Sequence, residues 1–466
     1  MKIQSLTLLT LALASCVVGP NYKRPDAAMT GKWKEGGTSK NAQVPDEWWK
    51  LFHDSELNKL VAQSLAQNQD LRGALAHVET ARALIGVQRA AWFPQLSNGG
   101  GFTEQRVSHG VATANLPPGT NFTPRLETQN YATSFNLSYE VDLWGRVRRN
   151  VESAKADMQA AADTLDVQRL SIASAVATNY FLLRSLDAQH HIVVGTIQSR
   201  EEAFDLQNSK FKAGLTNESD TTRARTELEQ AKATLEVLQI LRGTAEHAIA
   251  VLCGKAPVDF SISKNSDSLS PPSVPVGVPS ELLQRRPDVR AAEQNLISTN
   301  AQIGVAQAAF YPSFNLMGAG GFQSLDAGTF LNWQNRVLSI GPSVGVPILN
   351  GGRNKSNLKA AQSRYEESVA VYRQSLLVAL RDVEDALLAL KGYALQRNAL
   401  EAAVHSTEDT ERLARTRQEK GLTSYFEVVD AERDNFSARL ALAQVEGQRM
   451  MTTVQLFKAM GGGWRK

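Results

Sequence analysis

Few side chains in this sequence have the type and spacing that chemistry needs. The chain holds two cysteines. Cys16 follows an apolar run that ends in Leu13-Ala14-Ser15, and its thiol is suited to acylation once a leader has been removed. Cys253 would stand alone in the mature chain, with no partner for an internal disulfide, and reads as a small buried hydrophobe. His190 and His191 are adjacent, so on a helix their rings point about 100° apart and do not converge on a metal. The seven methionines are scattered, which offers no soft-metal relay. Carboxylates gather in Leu380-Arg381-Asp382-Val383-Glu384-Asp385-Ala386-Leu387, where they can solvate a helix face, pair with Arg381 and Lys391, or raise a local negative potential. No Gly-x-Ser-x-Gly, His-Glu-x-x-His, Walker-type loop or Cys-x-x-Cys occurs. Gly318-Ala319-Gly320-Gly321 leads into Phe322 and a loop, so it is no phosphate cradle. The expectation is a protein without catalysis, cofactor or metal. With 50 basic against 47 acidic residues and no basic block, a nucleic-acid partner is not expected either.

What positions these groups is a chain written twice. Asp70 to Pro94 (DLRGALAHVETARALIGVQRAAWFP) returns at Asp288 to Pro312 (DVRAAEQNLISTNAQIGVAQAAFYP), an offset of 288 − 70 = 218. Farther on the offset is 207, pairing Gly145-Arg146 with Gly352-Arg353, Gly214-Leu215-Thr216 with Gly421-Leu422-Thr423, and Gly254 with Gly461. The 11-residue difference places an insertion between Pro94 and Arg146. Duplication on this scale favours a pseudo-symmetric body, in which a unit closes against its copy, over a catalytic domain.

The N-terminus reads Met1-Lys2, an apolar run from Ile3 to Ala12, then Leu13-Ala14-Ser15-Cys16, a short export signal. Its ending resembles the bacterial lipobox, which implies cleavage before Cys16 and acylation of that residue. Beyond residue 16 no run approaches the ~20 apolar residues of a spanning helix, so a mature protein that crosses a membrane does so as a barrel. From Tyr131 to Leu143 the odd positions (Tyr131, Thr133, Phe135, Leu137, Tyr139, Val141, Leu143) alternate with Ala132, Ser134, Asn136, Ser138, Glu140 and Asp142. In the second copy Leu338, Ile340, Val344, Val346 and Ile348 alternate with Ser339, Gly341, Ser343 and Gly345. This is the pattern of strands with one face to lipid and one to a watery lumen, with Phe135, Leu137, Tyr139, Val344 and Val346 facing lipid; a sheet on a protein core shows the same alternation. Gly-rich strands precede each, near Leu96 to Gln105 and Phe314 to Gln323, which gives two hairpins at about 96–144 and 314–349.

Long helical tracts, roughly Asn150 to Lys212 and Lys355 to Lys420, follow the hairpins, and Gly214 and Gly421 mark where each helix ends and its partner begins. Val369, Tyr372, Leu376, Ala379, Val383, Ala386, Leu390 and Tyr393 form an a/d seam. A tract of about 60 residues reaches up to about 90 Å unless it folds back, and the reading here places a reversal halfway along, at Leu380 to Leu387. Four strands in lipid leave two unpaired edges and are too few to close a barrel, so several copies must contribute to one.

Cys16-Val17-Val18-Gly19-Pro20-Asn21-Tyr22-Lys23-Arg24-Pro25 resembles the mature start of the lipoprotein branch of TolC-like outer-membrane efflux channels, the OprM and NodT group. Val278-Pro279-Ser280-Glu281-Leu282-Leu283-Gln284-Arg285-Arg286-Pro287-Asp288-Val289 resembles that group's inter-repeat motif, and Gly461-Gly462-Gly463-Trp464 its ending. The resemblance implies a mainly α fold with a membrane β-barrel. Three chains with four strands each would build a 12-stranded barrel, continued by a periplasmic α-helical coiled-coil barrel. It implies a homotrimer in the outer membrane, lipid-anchored at Cys16, docked to a periplasmic adaptor and to an inner-membrane pump of the resistance-nodulation-division class. Because the family's closed periplasmic end carries acidic rings, Asp385 first and Asp382 second are the expected constriction residues. The expected divisions are 1–15 signal peptide, 16–60 lipidated segment and equatorial part, 61–254 first repeat, 255–285 connector, 286–461 second repeat and 462–466 tail. The expected function is a passive exit duct for small molecules; the alternatives are a lipid-anchored periplasmic coiled-coil scaffold and the exit duct of a type I secretion system.

Overall fold

The structure, a computed structural model, describes residues 17–26, 32–36, 44–106, 108, 127–265, 270–274 and 285–462. Cys16, residues 278–284 and Gly463-Trp464 lie outside the described residues, and with them the lipobox, most of the inter-repeat motif and part of the C-terminal ending.

The elements recur at the offsets carried by the sequence. The first copy runs α1 (Ser55–Gln67), α2 (Gln69–Ala90), β1 (Gln95–Arg106), β2 (Glu127–Val141), α3 (Arg146–Lys212) and α4 (Glu218–Leu252). The second runs α5 (Pro287–Ala308), β3 (Ser313–Ser324), β4 (Arg336–Gly345), α6 (Arg353–Glu419) and α7 (Tyr425–Ala459). α5 follows α2 by 287 − 69 = 218, α6 follows α3 by 353 − 146 = 207, and α7 follows α4 by 425 − 218 = 207.

The chain divides into two compact units. The first (Met1–Pro25, Glu79–Gln159, Gln294–Ala370) holds the sheet, antiparallel throughout in the order β1-β2-β3-β4. Trp144, just after β2, stacks on Tyr311, just before β3, at 4.7 Å and donates its Nε1–H to the Pro312 carbonyl at 2.7 Å.

The second unit (Asp26–Val78, Ala160–Glu293, Val371–Lys466) holds an aromatic core in which Trp48 stacks on Phe457 at 5.3 Å and Phe52 meets Phe181 at 4.7 Å. Each repeat closes on itself here. Asn68 donates to the Leu252 carbonyl at 3.0 Å in the first copy, and Arg286, its equivalent at 68 + 218, donates to the Ala459 carbonyl at 3.3 Å in the second. Tyr372, Leu376, Ala379, Val383 and Ala386 are buried, so the seam faces inward, with Val369, Leu390 and Tyr393 half-buried.

α3 with α4, and α6 with α7, form antiparallel hairpins. Arg200 meets Glu227 at 2.9 Å in the first; Arg415 meets Glu432 at 2.8 Å and Arg397 meets Glu446 at 3.5 Å in the second. Both turns use the left-handed backbone that glycine adopts without a Cβ penalty, at φ +73° for Gly214 and +70° for Gly421. The Leu215 N–H then reaches the Lys210 carbonyl at 2.8 Å and the Leu422 N–H the Arg417 carbonyl at 2.9 Å, satisfying the last turn of each helix. The reversal expected at Leu380 to Leu387 is therefore corrected. α6 passes through that stretch unbroken, because Leu, Arg, Glu and Ala are strong helix formers and no Gly or Pro interrupts them; the chain turns only at Gly421.

Candidate functional site

Strand register converts the alternation into two faces. Leu137 lies opposite Leu96 and Gly318, and Gly318 opposite Ile340; Phe135 lies opposite Gly320, and Gly320 opposite Leu338; Val141 lies opposite Phe314, and Phe314 opposite Val344. Directly paired residues share a face, so Phe135, Leu137, Tyr139 and Val344 fall together with Leu96, Phe314, Leu316, Leu338 and Ile340. The other face carries Ser134, Asn136, Ser138, Ala319, Gly321, Ser339, Gly341 and Ser343, with Met317 and Val337 as its large apolar members. Crowding there forbids even a methyl at Gly321, whose Cβ would lie 1.9 Å from the Thr133 carbonyl. On the apolar face Leu338 and Ile340 are 83% and 72% exposed, so nothing among the described residues covers them. Val346 departs from the expectation: β4 ends at Gly345, and Pro347, which has no N–H to extend the ladder, follows Val346. β1 and β4 each have one neighbour among the described residues, which leaves two rows of unpaired backbone groups.

At the hairpin turns, Ala224, Ala414, Tyr425, Val428, Val429 and Ala431 make a small buried cluster with Phe204 against it. Around it Leu215 and Leu422 are 77% and 67% exposed. Acids sit beside them: Glu427 in the first turn of α7, exposed, and Asp430, ion-paired with Arg433. Just behind lies a cluster drawn from all four helices. Arg200 pairs with Glu227, and Arg415 with both Glu411 and Glu432. Burial raises the Glu432 carboxyl above its ordinary value against the pull of Arg415, and burial together with the Glu432 charge pushes the Tyr425 hydroxyl up to about 12.

The acids of Leu380 to Leu387 have three separate settings. Asp382 accepts from Arg286 at 3.2 Å and from Arg381 at 2.7 Å, while Arg286 also holds Asp288 at 2.7 Å. Burial disfavours the Arg286 charge, but the flanking carboxylates outweigh it and raise its pKa. Glu384 accepts the Lys34 and Glu35 backbone N–H groups at 2.7 and 3.1 Å, pinning the segment 32–36 onto α6. Asp385 is 70% exposed, with Arg381 at 3.9 Å. Sequence spacing brought these acids together; the fold gives only Asp385 a free face.

Missed entirely by sequence reasoning is a buried ion network in the first copy. Asp187 accepts from Arg242 at 2.7 Å, from Arg184 at 3.2 Å and from the Asn265 N–H at 3.1 Å, and the two arginines hold the Ile262 and Ser263 carbonyls at 2.7 and 2.8 Å. His190 lies 3.0 Å from the Lys264 ammonium beside this network, and its pKa is lowered by burial first and by Lys264 next.

Comparison with known proteins supplies the remaining observation. The outer membrane efflux protein family matches residues 60–255 and 278–462. The toluene efflux pump outer membrane protein TtgF of Pseudomonas putida is 33% identical over 481 residues, covering 100% of this chain and 98% of that protein. The outer membrane protein OprJ of Pseudomonas aeruginosa is 31% identical over 466 residues, covering 99% of this chain and 95% of that protein. Among solved structures, the CmeC outer membrane channel of Campylobacter jejuni superposes with a TM-score of 0.86 at 25% identity, covering 96% of this chain and 95% of that one.

Proposed function

The chain belongs to the outer membrane efflux protein family, and from that premise we propose that it is the outer-membrane channel of a tripartite efflux system, a passive duct rather than an enzyme, which extends into the periplasm. The observation that carries this reading is the sheet, one face of which gathers Leu96, Phe102, Phe135, Leu137, Leu316, Leu338 and Ile340 from all four strands, and whose outer strands each have one neighbour among the described residues. Hydrocarbon cannot satisfy open edges and four strands cannot close alone, so three copies join β4 to β1 around an axis into a 12-stranded barrel. The apolar face meets lipid and the small, polar face lines the lumen. A periplasmic scaffold has no use for such a sheet.

In this reading the hairpin turns at Gly214 and Gly421 form the periplasmic end, where the exposed Leu215 and Leu422 meet an adaptor. The inner-membrane pump is of the resistance-nodulation-division class, the cargo is small molecules, and acylated Cys16 anchors the chain in outer-membrane lipid. A constriction needs helix ends that converge, which supports Glu427 and Asp430 over Asp382 and Asp385, in mid-helix. Single-channel recording in a planar bilayer tests both parts. Discrete conductance is expected, with a cation preference that Glu427→Gln with Asp430→Asn weakens. Absence of conductance from a well-folded trimer returns the chain to the scaffold reading, and a preference lost only in Asp382→Asn with Asp385→Asn restores the mid-helix site.

A further inference from the structure

The residues that follow Cys16 are bound as a peptide is bound by a receptor. Val18 donates its N–H to the Trp144 carbonyl at 3.0 Å. Arg149, only 4% exposed, reaches the Val18 carbonyl at 3.4 Å, the Gly19 carbonyl at 3.3 Å and the Asn21 side chain at 2.9 Å, and its remaining arm pairs with Glu152 at 2.8 Å. From the other side Asn300 donates to the Pro20 carbonyl at 3.0 Å. Contact is too close for side chains at two points. A Cβ on Gly19, which has φ +99°, would lie 2.4 Å from the Gly304 Cα; a Cβ on Gly304 would lie 2.9 Å from the Arg149 side chain and 3.0 Å from the Val18 carbonyl.

The two walls come from different copies. Trp144 and Arg149 belong to the β2–α3 junction of the first, Asn300 and Gly304 to α5 of the second. Pseudo-symmetry would predict a second slot, but Arg149 becomes Ser356, Asn300 becomes Arg82, and Gly86, the equivalent of Gly304, has nothing within 4 Å of a Cβ. Among the described residues the slot is built once, for one peptide.

We propose that residues 17–21 are a docked ligand of this slot, a strap that fastens the two repeats where β2 ends and β3 begins and fixes where residue 16 emerges. A buried guanidinium that meets three groups of one segment specifies that segment, and losing the segment would leave the Arg149 N–H groups that Glu152 does not hold without their acceptors. The docking does not depend on acylation. Only its consequence rests on the lipid-anchor reading: acyl chains on Cys16 would enter the membrane beside the Trp144–Tyr311 stack, at a depth set by protein contacts rather than by a loose tether.

Trypsin cleavage after Lys23 in the detergent-solubilised full chain tests the strap, because proteolysis follows the population of the opened segment. Gly19→Ala and Gly304→Ala should release the N-terminal peptide about tenfold faster than the unchanged protein, and Gly86→Ala at the unchanged rate. Cys16→Ser should also stay slow. Should Gly304→Ala fail to fold, Gly19→Ala decides, since residue 19 lies outside every helix and strand. Unchanged cleavage in Gly19→Ala, or fast release in Cys16→Ser, would overturn the strap. Palmitate labelling that persists in Cys16→Ser would remove the anchor reading and leave the docking standing.

Discussion

The two repeats keep the same helices and turns and differ in the polar groups that hold them. In the first copy Asp142 caps α3 by accepting the Val147 and Arg148 N–H groups at 3.0 and 2.9 Å, and Asn217 caps α4 by accepting the Asp220 N–H at 3.0 Å. Their equivalents 207 residues on are Leu349, which cannot cap, and Ser424, whose side chain makes no cap bond. The Arg184–Asp187–Arg242 network becomes Lys391, Ala394 and Arg449. The second copy instead holds α6 through Asp382 on Arg286 and Glu384 on the segment 32–36, at positions where the first copy has Ala175 and Ala177. Helix register and turns therefore survive on the apolar seam and the glycines alone. Some of the polar contacts that differ reach outside the repeat, Asp187 to the Asn265 N–H and Glu384 to the segment 32–36.

The sharpest way to break this comparison is to remove the carboxylate each copy relies on. Asp187→Ala would leave the buried Arg184 guanidinium without its carboxylate and Arg242 with Glu246 alone, and should cost about 3–5 kcal/mol in thermal or denaturant unfolding. Asp382→Ala should cost about 1 kcal/mol or less, because its site is part-exposed and Arg286 keeps Asp288. Equal losses would mean that the two copies lean on their ion pairs alike. In the sheet, by contrast, the copies should behave alike. Leu137→Arg and Val344→Arg should each cost about 2–4 kcal/mol near the bilayer midplane, and Asn136→Arg and Ser343→Arg should leave folded trimer in place. Loss that follows the copy rather than the face would show that the register does not sort lipid from lumen.

What the sequence displayed plainly was everything periodic or repeated: the offsets, the seam from Tyr372 to Ala386, the glycines at 214 and 421, and the alternation around Leu137. Apart from the offsets those signals are local, and each is set by backbone geometry within a few residues. What it hid was contact between distant segments. Nothing near Asp382 announces Arg286, 96 positions away, or near Arg149 announces Val18, 131 away. Acids clustered in sequence at 382–385 suggested one site, yet a helix distributes them around its circumference, and three neighbours claim them differently. Val346 looked like a continuation of its strand because alternation carries no information about where pairing stops.

A smaller effect compares the two places where a repeat closes on itself. Gly254 and Gly461 both have positive φ, +69° and +87°, but a Cβ would lie 2.6 Å from the Gln67 carbonyl in the first case and 3.0 Å from the Arg285 carbonyl in the second. Alanine at either position should cost about 1–3 kcal/mol, with Gly254→Ala the more damaging because the backbone carbonyl it meets is nearer. The reverse order in unfolding measurements would indicate that the second joint, which also carries Arg286, is the less yielding.

The smallest difference should appear at the turns, as a response to pH. Glu432 is raised above the ordinary glutamate value of 4.5, first by burial, with Glu411 and Glu227 adding to it and Arg415 and Arg200 opposing. The sign follows from linkage: a carboxyl whose folded pKa is raised binds its proton more tightly in the folded hairpin than in the unfolded chain, so its charge penalises the fold at neutral pH. That penalty is relieved as pH falls through the folded value and changes no further once pH is below 4.5, where the carboxyl is protonated in both states. The equivalent position in the first copy is Arg225, which carries no such group. Hydrogen exchange, corrected for its intrinsic pH dependence, should therefore show protection near Gly421 rising relative to Gly214 as pH is lowered from about 7.5 to about 5, and Glu432→Gln should abolish the difference. A pH response that is equal at both turns, or that persists in Glu432→Gln, would assign it to groups the two copies share.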